Sequence, residues 1–394
     1  MTANATLFNF TNSTDLILEI PTATRKQNLN QAGVFSSPIS QYQAYINELC
    51  LQAVLPWIQE DFSPQAKVWP SSTALPSFWE VVNGTTILLD GRRFILVPSE
   101  SIDLSELRVP QEWVDIPELI GDYYLAVQVE PDEGWVNVWG YTTHTALKNS
   151  GKYDAGDRTY SLDGDELIND IAVLSVAREI CPQESTKTAT IPLTISQIQA
   201  ENLISRLGNS EVITPRLAIP FQMWGALLAH GGWRQSLYQK RTGQPEQLSV
   251  VQWLKDGVSQ FAQTIGWNKF DLQPTVAGAR SVEQIEAPAE TSTILCKQLS
   301  IAGQNYELRV IPQNIDNQIT WRFELRNANL GAAIPGGFKL RLLTEDLQSF
   351  ANNEDIATTA VSELFVEIAL EPGEGIVWEI EPLPENYDRE ILKF

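Results

Sequence analysis

The chain has 394 residues, 43% hydrophobic and 19% charged, a globular composition long enough for two or three domains. Its 27 Lys and Arg face 49 Asp and Glu, a formal charge of −22 at pH 7. A field of that sign repels nucleic acid and anionic membrane, which argues against general DNA or RNA binding and suits a soluble protein or one that meets a basic partner.

Cys50, Cys181 and Cys296 are odd in number and far apart, so neither zinc-ligand spacing nor a disulfide framework is indicated. The opening MTANATLFNF lacks a basic stretch followed by an apolar core, so no signal peptide is expected. The most apolar window, Leu217 to Leu228, is too short to span a bilayer. A cytoplasmic location is the expectation.

Along the chain, Ser37-Pro38 reads as an N-cap followed by proline at the first helical position, with Tyr42, Ile46, Leu49, Ala53 and Trp57 on one stripe. Pro56 is expected to kink or end that helix. TTILLDGRRFILVP predicts a hairpin turning at Asp90-Gly91, which tolerates the positive φ angles of a type I′ turn. YYLAVQVEPDEGWVNVWGY predicts a second hairpin around Pro131 to Gly134. Asp163 and Glu166 stand three apart like a capping box, and Leu167, Ile171, Leu174 and Ala177 continue a helical stripe. Further helices are expected near Ile195 to Leu207, Phe221 to Arg241 and Ser249 to Ile265. Ala277 to Ser292 is small, polar and aperiodic, as a linker would be. Beyond it, Trp321, Phe323 and Leu325 alternate with Arg322, Glu324 and Arg326, a half-buried antiparallel strand. About six strands in this stretch suggest a small sandwich.

The expected fold is therefore α+β. Residues 1–276 form an N-terminal region, β-rich over 79–162 and helical over 163–266. Residues 277–292 are a linker, and 293–394 form an antiparallel, sandwich-like all-β domain. Glu130 to Val136 echoes Glu371 to Val377, which shared turn chemistry explains more simply than duplication.

His230-Gly231-Gly232 has the look of an oxyanion loop, but that loop serves a serine inside G-x-S-x-G, and the chain has no such motif. The preceding FQMWGALLA is helical in pattern, so the glycines read as a loosened or kinked helix and His230 as a packed or partly exposed side chain. Between Val212 and Pro245, Arg216, Arg234, Lys240 and Arg241 occur with no acidic residue, a local reversal of sign. Part of it fits cations at a helix C-terminus, and part fits a contact surface for an acidic partner or for the protein's own acidic tail. That tail, Glu345 to Phe394, holds thirteen acidic residues against Arg389 and Lys393. Glu363, Glu367 and Glu371 recur every four residues, either a solvated strand face or a platform for a basic protein. The crowded Asp154, Asp157, Asp163, Asp165 and Asp170 do not have EF-hand spacing, and neither a metal nor a cofactor is indicated. Two carboxylates suffice for a glycosidase and need no local motif, so a carboxylate-dependent hydrolase stays open. So does a small-ligand or glycan binder using some of the twelve Trp residues.

Four long segments carry a resemblance: PSFWEVVNG, PSESIDLSELRVPQEWVDIPELIGDYYLAVQV, WGALLAHGGWRQSLYQKR and EPLPENYDREILKF. Over nearly its whole length the chain resembles the cyanobacterial domain-of-unknown-function family 1822. That resemblance brings no catalytic residues. It implies a context, since such relatives are often encoded beside an alternative sigma factor and a caspase-like peptidase. The expectation is a non-enzymatic regulatory or adaptor protein acting through protein contacts. It would sequester a sigma factor and be inactivated by cleavage near Arg280, the one basic residue of the linker.

Overall fold

A computed structural model of the chain describes residues 16–22, 34–171, 173–174, 194–245, 248–272, 292–315 and 318–394. The protein is α+β, and its contacts separate it into two units, Met1–Gln244 and Pro245–Phe394.

In the first unit Ser37 caps helix α1 (Pro38–Asp61), its hydroxyl accepting from the Ser40 amide at 3.1 Å, with proline in the first turn. Pro56 does not end the helix, which continues to Asp61. Leu49, Val54 and Ile58 are buried in the core on that stretch, and this burial outweighs the one hydrogen bond that proline removes. The helix shares its core with a six-stranded sheet, β1 (Leu16–Glu19), β7 (Trp135–Thr143), β6 (Tyr123–Glu130), β4 (Arg92–Ser99), β3 (Thr85–Leu89) and β2 (Lys67–Trp69), in that order. Only β4 and β6 run parallel. The turn between β3 and β4 has Asp90 at φ 48° and Gly91 at φ 75°, the left-handed pair the dipeptide predicts. The second hairpin turns at Gly134, φ 82°, and carries a bulge after Ala126.

A smaller sheet of β5 (Glu106–Pro110), β9 (Thr159–Asp163) and β8 (Lys152–Asp154) follows. Short helices α2 (Leu75–Trp79), α3 (Glu112–Asp115) and α4 (His144–Ser150) fill the connections. Helices α5 (Gln197–Leu207), α6 (Phe221–Ala229) and α7 (Gly231–Thr242) close the unit.

The expected helix from Asp163 is not formed as read. Asp163 makes no capping bond and instead accepts from Lys152 Nζ at 2.9 Å. A single 3-10 turn, Gly164–Glu166, leads into Ile168, which bridges Tyr141 of β7. Pairing to a sheet edge takes the start of the expected stripe, while 173–174 are helical and 175–193, with Ala177, lie outside the described residues.

In the second unit helices α8 (Val250–Asp256) and α9 (Gln260–Thr264) replace one expected helix, broken at Gly257, φ 94°. One antiparallel sheet has the order β10 (Trp267–Leu272), β11 (Ser292–Ile301), β12 (Gln304–Ile315), β13 (Gln318–Asn327), β16 (Glu363–Ala369). The other is β15 (Glu354–Ile356), β14 (Lys339–Thr344), β17 (Gly375–Glu381), β18 (Ile391–Lys393). Leu308, Val310, Phe323 and Leu325 of the first share one core with Leu340, Leu342, Trp378 and Ile380 of the second, so the pair makes a sandwich.

The unit begins earlier than the sequence suggested. Residues 248–272 belong with the sandwich because β10 pairs with β11 along its whole length and Trp253 and Trp267 lie in the same core. Composition marks a polar stretch, whereas strand pairing decides which unit a segment joins. The predicted linker from 277 to 291, with Arg280, lies outside the described residues, as does Cys181, and Ser292 already opens β11. The turn at Gly373, φ 92°, resembles the one at Gly134 in its chemistry. However, it joins strands of different sheets, whereas Gly134 joins hairpin partners.

Candidate functional site

In the first unit, α1, the 80–83 segment that follows α2, the edges of β5 and β9 and the 213–216 segment line an open cleft of about 330 Å³. The N-terminal turn of α1 contributes Ile39, Ser40 and Gln43, the β5 and β9 edges contribute Arg108, Asp157 and Thr159, and the 213–216 segment contributes Ile213 and Arg216.

Two of these walls are braced by a deep ion pair. Under the first, Glu80 and Arg241 form a buried pair at 2.6 Å, their side chains 0% and 1% exposed. Arg241 also donates to the Leu207 carbonyl at 2.8 Å, the Val212 carbonyl at 3.1 Å and Ser36 Oγ at 3.0 Å. Glu80 accepts from the Ser36 amide at 3.1 Å, which ties the entry of α1 to the ends of α2, α5 and α7. At the 213–216 wall, Glu112, fully buried, receives both Nε and a terminal nitrogen of Arg216 at 2.8 and 2.7 Å, and Trp224 Nε1 at 2.8 Å. This bidentate grip fixes the 3-10 turn Pro215–Leu217, and with it the backbone that presents Ile213.

Arg108 and Asp157 carry the exposed charge of the cleft, and Glu106 and Asp154 join it beside the cleft through Arg108. Arg108 donates to Glu106 at 3.0 Å, Asp154 at 3.1 Å and Asp157 at 2.8 Å, three carboxylates sharing one guanidinium. The turn between β8 and β9 supplies two of them, because Asp154 ends β8 and Asp157 precedes β9. Glu106 and Asp157 drive the Arg108 guanidinium further above its already high value. Partial burial pushes the Asp157 carboxyl up, but the Thr159 hydroxyl and Arg108 outweigh it and hold it below the usual carboxylate range. Asp157 is thus an anion at neutral pH, equipped to hold a cation and poorly suited to act as a general acid, for which a raised value is required.

The residues singled out from sequence fall into three groups. Arg216 is part of the cleft. Arg234 and Arg241 are buried and cannot form a contact surface. Arg234 donates to Ser77 Oγ and to the Leu228 carbonyl, both at 3.0 Å, and stacks 3.8 Å from the Phe78 ring. Lys240 alone of this set is exposed, in the last turn of α7 where the helix dipole favours it. The reversal of sign reflects internal ion pairing with Glu80 and Glu112 from 161 and 104 residues away.

In the second unit Glu363 and Glu367 do share the outer face of β16. Both are paired to Arg322, at 2.8 and 2.9 Å, and Glu363 also to Arg326. Glu371 lies beyond the end of β16, in the Gly373 turn. The acidic platform is thereby largely neutralised by basic residues of β13. A sum of charge along the tail could not register them, because they come from outside it.

His230 separates α6 from α7. It caps α7, Nδ1 accepting from the Trp233 amide at 3.3 Å, and its ring stacks on Trp233 at 4.2 Å. His230→Ala should cost about 1–2 kcal/mol of stability through the lost cap and stacking. His230→Asn should retain most of the cap, and denaturant melts of the two variants distinguish them. All twelve Trp residues lie among the described residues, eight of them buried and Trp57, Trp69, Trp135 and Trp139 half-buried. Among the described residues no group of three or more His, Cys, Asp and Glu is placed to hold a metal ion.

The class defined by these features is an α+β protein with a sandwich unit and, in its other unit, an ion-pair-braced surface cleft. Residues 18–393 match the family described as Protein of unknown function (DUF1822), and the chain belongs to that family. No curated protein and no solved structure matches the chain. No described helix is long and apolar enough to cross a membrane.

Proposed function

We propose that this protein is a non-enzymatic adaptor or regulator of a cyanobacterial cytoplasm, acting by protein contact, with the cleft as its docking point. The observation that carries this reading is the pair of isoleucines at the cleft lips, Ile39 at 67% and Ile213 at 69% exposure. Isolated exposed apolar residues are ordinary, but two that line one cleft, on segments fixed by buried ion pairs, form a preorganised contact surface.

The partner suggested by the family resemblance is an alternative sigma factor, which must present basic surface to DNA. We place that contact at the cleft in preference to the β16 face, whose Glu363 and Glu367 are engaged by arginines. Release by a caspase-like peptidase cutting near Arg280 belongs to the same proposal.

The test is binding of the purified protein to the sigma factor encoded beside it, at low and physiological salt, before and after cleavage at the linker. A complex at low salt, lost with Ile213→Ser and with cleavage, is the expected result. No binding at low salt, where exposed charge steers most strongly, ends the sigma-factor reading. Binding indifferent to Ile213→Ser removes the cleft from it.

A further inference from the structure

We infer that the cleft takes a partner segment in which an arginine or lysine is flanked by aliphatic side chains. This rests on the reading of the cleft as a protein-docking point and names the chemistry it selects.

The deep pairs, Glu80 with Arg241 and Glu112 with Arg216, cancel and are sealed from solvent or nearly so. The accessible charge is what an incoming chain meets. Glu106, Asp154 and Asp157 are 39%, 53% and 46% exposed, against Arg108 at 39%. The further cations are Arg158, half-buried and committed to the carbonyls of Arg216 and Ile219, both at 2.5 Å, and Lys152, exposed and paired with Asp163 at 2.9 Å. With both counted, Glu106, Asp154, Asp157 and Asp163 still outnumber Arg108, Arg158 and Lys152 here, within a protein of net charge −22.

Each carboxylate also keeps acceptor capacity. Asp154 receives Arg108 on one oxygen and the Gly156 amide on the other, and Asp157 receives Arg108 and the Thr159 hydroxyl. A carboxylate offers about four lone-pair sites, so a second guanidinium or an ammonium finds acceptors without displacing Arg108. An anionic group would meet Arg108 already shared among three carboxylates. Beside this rim Ile39 and Ile213 offer apolar surface, which a solitary cation would leave wet and an aliphatic neighbour covers. Both features together select a basic residue in an aliphatic context.

The experiment is selection of a phage-displayed library of random heptapeptides on the immobilised full-length protein. Synthetic peptides of the enriched sequences are then titrated by fluorescence anisotropy. Enriched sequences should pair Arg or Lys with Ile, Leu or Val, and replacing the basic residue by Gln should weaken binding about tenfold. Asp154→Asn and Ile213→Ser, both at exposed positions that leave the core intact, should each weaken it by roughly fivefold or more, and added salt should blunt the first effect. Enriched peptides without a basic residue that still lose binding with Ile213→Ser would overturn the proposed chemistry and leave the docking reading standing. No enrichment, or binding indifferent to both variants, would overturn the two together.

Discussion

Arg241→Ala should lower the unfolding free energy of the protein by about 3–5 kcal/mol, the range found when one partner of a buried ion pair is removed. The side chain is 1% exposed and its loss leaves the Glu80 carboxylate, itself fully buried, without its counter-charge. It also strands the Leu207 carbonyl at the end of α5 and the Val212 carbonyl in the loop beyond it, both of which Arg241 satisfies. Glu80→Ala should cost a similar amount for the reciprocal reason. The double change Glu80→Leu with Arg241→Met should cost much less than the sum, because a buried pair replaced by apolar groups of similar volume forfeits little. Chemical denaturation gives the three values. Hydrogen exchange should show the loss of protection concentrated in α1, α2, α5 and α7, the elements that meet at this pair. An Arg241→Ala cost below about 1 kcal/mol would mean that the pair is solvated in solution and that the cleft wall is not braced as described.

That pair also shows where sequence reading stops. Elements whose cause is local were legible. Asp90-Gly91 announces its turn because only certain residues tolerate those φ angles, and Ser37-Pro38 announces a helix start because cap and proline act within four residues. The alternation of Trp321 with Arg322 fixed the faces of β13 for the same reason. Arg241 stood out as one of four cations in an acidic chain, but its meaning lay in Glu80, 161 residues earlier. Nothing in spacing or composition joins residues so far apart. The cleft was missed because Ile39 and Ile213 are single apolar residues, unremarkable until the fold brings both to the lining of one cleft. Arg108 gave no signal either, since its three carboxylates come from β5 and from the β8–β9 turn. At Asp163 the local signal was present and misleading, because an antiparallel bridge from Ile168 to Tyr141 competed with the helix. Polar composition from Ala277 suggested a boundary, whereas β10 had already committed the preceding residues to the sandwich.

Phe394→Ala should destabilise the second unit by about 3–5 kcal/mol, the usual cost of emptying a buried aromatic site. Phe394 is 7% exposed, and its ring meets Trp321 edge-on at 4.7 Å and Phe323 at 5.9 Å, both in the core between the two sheets. Its amide donates to the Glu374 carbonyl at 2.9 Å and its own carbonyl accepts from the Gly373 amide, which fastens this residue to the turn before β17. The residues before it are equally committed: Leu392 is fully buried, Lys393 pairs with Glu345, and the Lys393 amide donates to the Leu248 carbonyl at 2.9 Å. Phe394→Leu should lose considerably less than Phe394→Ala, since a leucine refills part of the volume and keeps the apolar contact with Trp321. Removing 391–394 should do more than either, because β18 goes with it and β17 becomes an unpaired edge. Denaturant unfolding followed by tryptophan fluorescence reports the change directly, through Trp321, Trp253, Trp267 and Trp378 of the same core. If Phe394→Ala melted like the unaltered protein, the ring would be free in solution. The contacts of that ring with Trp321 and Phe323 would then not hold the two sheets together, and the stability of the sandwich would rest on the remaining core residues.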